Sequence, residues 1–174
     1  MIRIAIALIL IAGVAAGWPG PPAVACPGLH SKDKHLFFSA SQLTRPKVAG
    51  VRAGGTVLLG ACESLPGTGN IPFEPTIAIH YVADRRARDL EVRTEGDCDT
   101  VLLVRTPSGR WFFDDDNGSR HNARIRLGSP PEGRYEIWVG SNAGYACETK
   151  LALQSYRARA RLAEAVTGPS HGRI

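Results

Sequence analysis

The stretch that decides the fold is CDTVLLVRTPSGRWFFDDDNG, residues 98–118. Residues 101–104 within it are apolar without a break, which predicts a strand that is buried on both faces. Pro107 and Gly109 occupy the second and fourth positions of a predicted type I turn. The stretch therefore predicts a hairpin over residues 99–114 that ends at an acidic loop.

Segments on both sides of this hairpin alternate apolar and polar residues, as strands with one wet face do. Turn residues separate them, and no helical period lies between them. The predicted strands, about eight in number, cover residues 56–60, 76–82, 89–94, 101–104, 110–113, 123–127, 134–140 and 149–153. This spacing predicts an all-β protein whose antiparallel strands form a sandwich or a barrel.

The first 25 residues have the composition of an export signal. Arg3 precedes an apolar run at residues 4–16, and residues 23–25 form a small-x-small cleavage site. As a helix the run is about 20 Å long, short of the ~30 Å hydrocarbon core, which favours a cleaved signal over a membrane anchor. No transmembrane segment is expected after it. We expect a mature chain that begins at Cys26 and is periplasmic or secreted.

The four cysteines follow this signal, and an even number in an oxidising compartment favours disulfides. Cys98 and Cys147 both border strand-like runs, which favours a bridge between them and leaves Cys26 to pair with Cys62. Cys26 has an alternative as a lipid-attachment site, although Ala23 stands where a bacterial lipobox usually has Leu. Lipidation would leave Cys62 without a partner.

The sequence divides into four parts. Residues 1–25 are the predicted signal peptide, 26–47 an N-terminal arm of mixed composition, 48–155 the sandwich and 156–174 a C-terminal tail. Residues 156–165 of the tail are the one segment in which we expect a short helix.

The formal net charge is +5, with arginine spread along the chain, which argues for loose attraction to anionic surfaces. A protein or polysaccharide partner is expected, and nucleic acid is not.

The acidic loop is the candidate ion site. Three consecutive carboxylates repel one another unless a cation or hydrogen-bond donors offset their charge. Calcium takes six to eight oxygen ligands, and Asp114, Asp116 and Asn117 could supply some of them. Asp99, at the start of the same hairpin, is a further candidate ligand. The alternative is a turn whose Asp and Asn side chains bond their own backbone, with Arg120 or Arg124 neutralising the charge.

The sequence offers no comparable case for catalysis. Its G-x-S-x-G, at residues 168–172, lies in the tail beyond the last predicted strand and not in the strand–turn–helix context of a nucleophile, and H-E-x-x-H is absent. We therefore expect a protein that is not an enzyme. Among the histidines, only His121 lies beside the acidic loop.

Aromatic residues at strand spacing usually belong to a core, although an exposed group of them would mark a partner site. Trp138 follows Ile137 in a predicted strand, so its side chain points to the opposite face of the sheet from that of Ile137. It is therefore the candidate surface aromatic.

A set of ordered motifs in residues 48–155 resembles the bacterial pre-peptidase C-terminal (PPC) domains. The motifs are CDTVLLV at 98–104, P-x-G-x-W at 107–111, DDD at 114–116 and G-x-Y-x-I-W-V-G at 133–140. The resemblance implies a jelly-roll-like β-sandwich that serves secreted proteases as a non-catalytic accessory module, in some members with calcium. No protease accompanies it here, so that role does not carry over directly. The alternative is a small secreted hydrolase or a protease inhibitor.

Overall fold

Strands dominate the computed structural model, which describes residues 26–29, 36–86 and 88–158. Two 3₁₀ helices, Gln42–Thr44 and Leu59–Ala61, interrupt them. The strands are β1 (Leu36–Ser39), β2 (Lys47–Ala53), β3 (Val57–Leu58), β4 (Asn70–Ile71), β5 (Ile77–Val82), β6 (Arg88–Glu95), β7 (Thr100–Arg105), β8 (Trp111–Asp114), β9 (Arg124–Leu127), β10 (Gly133–Ser141) and β11 (Cys147–Arg157). The prediction of an all-β chain is confirmed. In the described part, no helix has the length and apolar character needed to cross a membrane.

The strands form two sheets. In the larger sheet β10 is central, with β7 and then β8 on one side. On its other side lie β5 with β1, and the short β4–β3 pair. The smaller sheet has the order β2-β11-β6-β9. Every pairing is antiparallel except that of β1 with β5. The predicted hairpin is present as β7 and β8, and β7 is buried on both faces as expected.

The main core lies between the sheets. Alternate residues of facing strands fill it, so Leu90 and Val92 of β6 oppose Tyr135 and Ile137 of β10 within one cluster. The 3₁₀ helix at Gln42–Thr44 also belongs to it, because Leu43 is fully buried there. The segment before β2 thus contributes both a strand and a core side chain to the sandwich.

A second apolar cluster lies on the outer face of the larger sheet. Residues 57–71 cross this face, and their side chains cover outward-facing residues of β7 and β10. The cluster, which we call the cap cluster, consists of Val57, Leu59, Cys62, Ile71, Val101, Leu103 and Trp138. The expectation that Trp138 is a surface aromatic is wrong, since its exposed fraction is 0%. The Trp138 side chain does point away from the main core, but the cap cluster covers that face of the sheet.

Both predicted disulfides are present. Cys26 bonds to Cys62, with their Cα atoms 5.8 Å apart, and Cys98 bonds to Cys147, with a Cα–Cα distance of 6.3 Å. The first bond uses the sulfur that a lipid at Cys26 would need. The second bond joins two connections that cross between the sheets. Cys98 lies in the connection from β6 to β7, and Cys147 lies at the end of the connection from β10 to β11.

Several segments differ from the sequence-based expectation. Strands β1 and β4 were not predicted, and the predicted strand 56–60 is β3 followed by the 3₁₀ helix Leu59–Ala61. Strand β2 was not predicted, because Ala49 and Gly50 interrupt its alternation, yet it pairs along its length with β11. The helix expected from residue 156 does not begin there, because Tyr156 and Arg157 pair with β6 as the end of β11. The rest of that segment, from residue 159, lies outside the described residues, as does the predicted signal.

The topology gathers the connections at two ends of the sandwich. The loop end consists of residues 96–99, 115–123 and 142–146, and the turn end of residues 83–86, 106–110 and 128–132. The acidic loop lies at the loop end. At the turn end, the Pro107–Gly109 turn closes the β7–β8 hairpin through a hydrogen bond from Gly109 N to Thr106 O, 2.9 Å.

Candidate functional site

Asp114 organises the acidic loop from a buried position at the end of β8. Its carboxylate accepts hydrogen bonds from the backbone N–H of Asn117, at 3.1 Å, and of Arg124, at 2.7 Å. The side-chain amide of Asn117 donates to the other oxygen of the Asp114 carboxylate. Asp114 therefore makes the self-bonded turn that was the alternative to an ion site.

Asn122 holds the far side of the same loop. Its side-chain amide donates to Ser119 O at 2.7 Å and to Gly96 O at 2.8 Å. Its backbone carbonyl accepts a hydrogen bond from Gly118 N at 2.7 Å. The loop is thereby fixed both to itself and to the neighbouring β6–β7 connection. It also places Arg120 and His121 at φ of 56° and 60°, a left-handed conformation that residues other than glycine seldom adopt.

The predicted calcium ligands are only partly brought together. Asp114 and Asn117 bond to each other, whereas Asp116 is exposed and lies 3.5 Å from His121 Nδ1. Asp99 accepts a hydrogen bond from Asn142 Nδ2 at 3.4 Å, and its other oxygen is shielded from solvent without a hydrogen-bond partner. Among the described residues, no three His, Cys, Asp or Glu side chains are arranged to hold a metal. Calcium remains a prediction.

Burial and neighbouring charges in the acidic loop both act on the pKa of Asp115. Burial raises the pKa of its carboxyl above the ordinary value of 3.8, and the neighbouring charges of Asp116, Asp114 and Asp99 raise it further. A hydrogen bond from backbone N–H acts in the opposite direction. The ionised Asp115 is therefore held in an unfavourable position that a bound cation or positive partner group would relieve.

Replacing Asp115 with asparagine is expected to raise the melting temperature near neutral pH. Because the pKa is raised on folding, the ionised carboxylate destabilises the folded state above that pKa, and the penalty disappears as pH falls below the unfolded value. The variant and the native chain should therefore converge near pH 3. Calorimetric melts across this pH range check the prediction. Asp97→Asn is the matched control, because the Asp97 side chain is 96% exposed, and an equal gain there would contradict the assignment.

Five of the exposed side chains at the loop end are charged, histidine or aromatic. We call them the loop-end surface: Asp97, Asp116, Arg120, His121 and Tyr145. Arg120 Nη1 lies 3.6 Å from Asp97 Oδ1, an ion pair between exposed groups that contributes little to stability. Tyr145 is 66% exposed. The acidic loop marks Asp116 and His121 as candidates in the sequence, and Arg120 only as a charge that could neutralise the loop. For Asp97 and Tyr145 the one available signal is their position in connections between strands.

No family model and no curated protein matches the chain. Among solved structures, it is similar to the pre-peptidase C-terminal domain of a collagenase from Bacillus anthracis, with a TM-score of 0.38 and 8% identity over 73% of this chain and 99% of that one. It is also similar to PliG from Aeromonas hydrophila, a periplasmic inhibitor of g-type lysozyme. That similarity has a TM-score of 0.36 and 14% identity over 71% of this chain and 98% of that one. The first structure represents the family that the sequence motifs resemble.

Proposed function

We propose that this protein is an exported, non-catalytic binding module that recognises a protein partner through the loop-end surface. The observation that carries the proposal is the contrast between a fixed backbone and exposed side chains. Asp114 and Asn122 hold the loop at both of its ends, while the side chains of Arg120 and His121 are 81% and 79% exposed. A preordered loop loses little conformational entropy when it binds.

The composition of the loop-end surface supports recognition. Tyrosine and arginine are the residue types that most often dominate the binding energy of protein interfaces, and both are present, as Tyr145 and Arg120. Export is supported by the two disulfides, since such bonds form and persist outside the reducing cytosol.

Calcium at the acidic loop is part of the proposal, as a stabiliser of the recognition loop rather than a catalytic ion. It is supported by the raised pKa of Asp115 and by the shielded oxygen of Asp99. Millimolar calcium should raise the melting temperature of the native chain and have a smaller effect on Asp115→Asn. Melting temperatures that do not respond to calcium or to a chelator would remove calcium from the proposal.

A second candidate function is inhibition of a secreted hydrolase. It is favoured by the left-handed backbone at Arg120 and His121, because strained, well-supported conformations are common where a loop must present side chains in one fixed geometry. An exposed arginine on such a loop suits a cleft lined with carboxylates. A partner whose hydrolytic rate falls on binding would distinguish this function from accessory binding.

The test is partner capture from the extracytoplasmic fraction of cells that produce the protein, with three loop-end side chains removed. The variant Arg120→Ala/His121→Ala/Tyr145→Ala is expected to retain the partner at least tenfold more weakly than the native chain does, because interface hot spots are worth about 2 kcal/mol or more each. Val48→Ala/Arg52→Ala, on exposed positions of β2, is the control and should bind normally. Equal retention by both variants would refute the assignment of this surface.

A further inference from the structure

The turn end carries an excess of arginine. Arg85, Arg86 and Arg110 belong to it, and Arg88 and Arg126 lie beside it on β6 and β9. Its carboxylates are Asp84 and Glu132, and Asp89 lies beside it on β6. Arg88 Nε lies 3.2 Å from Asp84 Oδ2, and Arg126 Nε lies 3.1 Å from Asp89 Oδ2. Glu132 instead accepts a hydrogen bond from Ala83 N at 3.0 Å. Within the described part of the chain, Arg110 forms no ion pair, so its charge is available to a ligand.

A cleft of about 290 Å³ opens beside Arg110. It lies between the Pro107–Gly109 turn and residues 128–131, and Phe112, Leu127 and Tyr135 line its inner side. Phe112 and Leu127 belong to the strands that meet the turn end. The cleft is therefore formed by two connections and three strand ends, at the opposite end of the sandwich from the loop-end surface.

Both sides of the cleft are fixed before any ligand binds. On one side Thr106 N donates to Arg110 O at 2.9 Å, and the Arg110 guanidinium lies over the Phe112 ring, 5.2 Å from its centroid. On the other side the Tyr135 hydroxyl donates to Pro131 O at 2.7 Å. Ser129 is held there at a φ of 45°, a strained value of the kind that occurs at binding sites.

Arg126 adds a second guanidinium at the border of the cleft. Its Nε bonds to Asp89, and its guanidinium carbon lies 4.6 Å from the centroid of the Tyr156 ring. These contacts restrict the side chain and partly offset its charge. Arg110 therefore supplies the principal positive group for a ligand, and Arg126 a weaker one.

We propose that this cleft binds a carboxylate-bearing sugar unit of an acidic polysaccharide. Arg110 would bond the carboxylate, because guanidinium groups match carboxylates with paired, charge-assisted hydrogen bonds. Pro131, an exposed residue of the lining, offers apolar surface to a sugar ring, and Ser108 and Ser129 also line the cleft. An acidic peptide is less well served, because an extended strand needs a continuous sheet edge, and this cleft is lined by connections and strand ends.

The test is calorimetric titration of the full-length exported chain with four probes at physiological ionic strength, at which distant surface charges are screened. Tetragalacturonate is the acidic sugar, maltotetraose its uncharged counterpart, octaglutamate the acidic peptide and inorganic phosphate the simple anion. Tetragalacturonate should bind and maltotetraose should not. Arg110→Gln should weaken tetragalacturonate binding roughly tenfold, the value of one charge-assisted hydrogen bond. Arg52→Gln, an equal loss of charge on β2, should leave the binding within about twofold of native, as expected for a screened surface charge.

Three outcomes overturn the proposal. Equal weakening by Arg110→Gln and Arg52→Gln would show attraction to net charge alone. Binding of octaglutamate but not of tetragalacturonate, with the same dependence on Arg110, would assign the cleft to peptide. If inorganic phosphate binds as tightly as tetragalacturonate, the cleft is a general anion site. Because Arg110 lies far from the loop-end surface in the fold, partner capture tests the proposed function separately.

Discussion

Replacing Trp138 with alanine is expected to lower the free energy of unfolding by roughly 3–5 kcal/mol. The Trp138 side chain is fully buried in the cap cluster, where its ring centroid lies 5.3 Å from that of Trp111. Truncation would remove this contact area and leave a cavity between β10 and residues 57–71. The same change would have almost no effect if Trp138 were the surface aromatic that its sequence position predicted.

Urea denaturation followed by circular dichroism measures this loss. Trp138→Phe should lose less, because it keeps a ring in place and removes an indole N–H that is buried without a hydrogen-bond partner. Tyr145→Ala is the control for an exposed aromatic and should change stability by no more than about 0.5 kcal/mol. A loss below about 1 kcal/mol for Trp138→Ala would mean that the cap cluster does not contribute to folding as described.

Removing the Cys98–Cys147 disulfide is expected to lower the free energy of unfolding by about 4 kcal/mol. The two cysteines are separated by 49 positions, so the bond restricts a long loop of the unfolded chain. In the folded state it joins two crossovers between the sheets. The double variant Cys98→Ala/Cys147→Ala should therefore unfold at a much lower denaturant concentration than the oxidised native chain.

Guanidinium denaturation of both forms checks this prediction. The matched variant Cys26→Ala/Cys62→Ala removes a bond that spans 36 positions, for which the chain-entropy argument gives a similar loss. Cys62 belongs to the cap cluster, so only the second variant should also shift the tryptophan emission of the folded protein. Equal midpoints for Cys98→Ala/Cys147→Ala and the native chain would contradict the stabilising role of the bond.

Much of the sandwich was predictable because its central strands carry their own signals. The apolar run at residues 101–104 gave a buried strand, and Pro107 with Gly109 gave the turn beside it. Strand β2 was not predictable in the same way, because its small residues carry little hydrophobic pattern and its pairing with β11 is a long-range interaction. The burial of Trp138 also depends on distant residues, since residues 57–71 cross the sheet to cover it.

The candidate site was predictable in composition but not in geometry. Consecutive carboxylates marked the acidic loop, yet sequence could not decide whether Asp114 faces an ion or the backbone. That outcome depends on Arg124 N, ten positions further along the chain, which reaches the Asp114 carboxylate. Asp97 and Tyr145 gave no sequence signal, and Arg120 was expected only as a neutralising charge, because exposure at the loop end is set by how three separate connections meet there.

The order of the disulfides along the chain has a consequence for biogenesis. Four cysteines allow three pairings, and this fold uses the one in which each cysteine bonds to its nearest neighbour in sequence, first with second and third with fourth. A chain that crosses a membrane amino end first presents Cys26 and Cys62 to an oxidant before Cys98 emerges. Oxidation in order of emergence therefore gives the native bonds directly, without the slow reshuffling that interleaved bonds require from an isomerase.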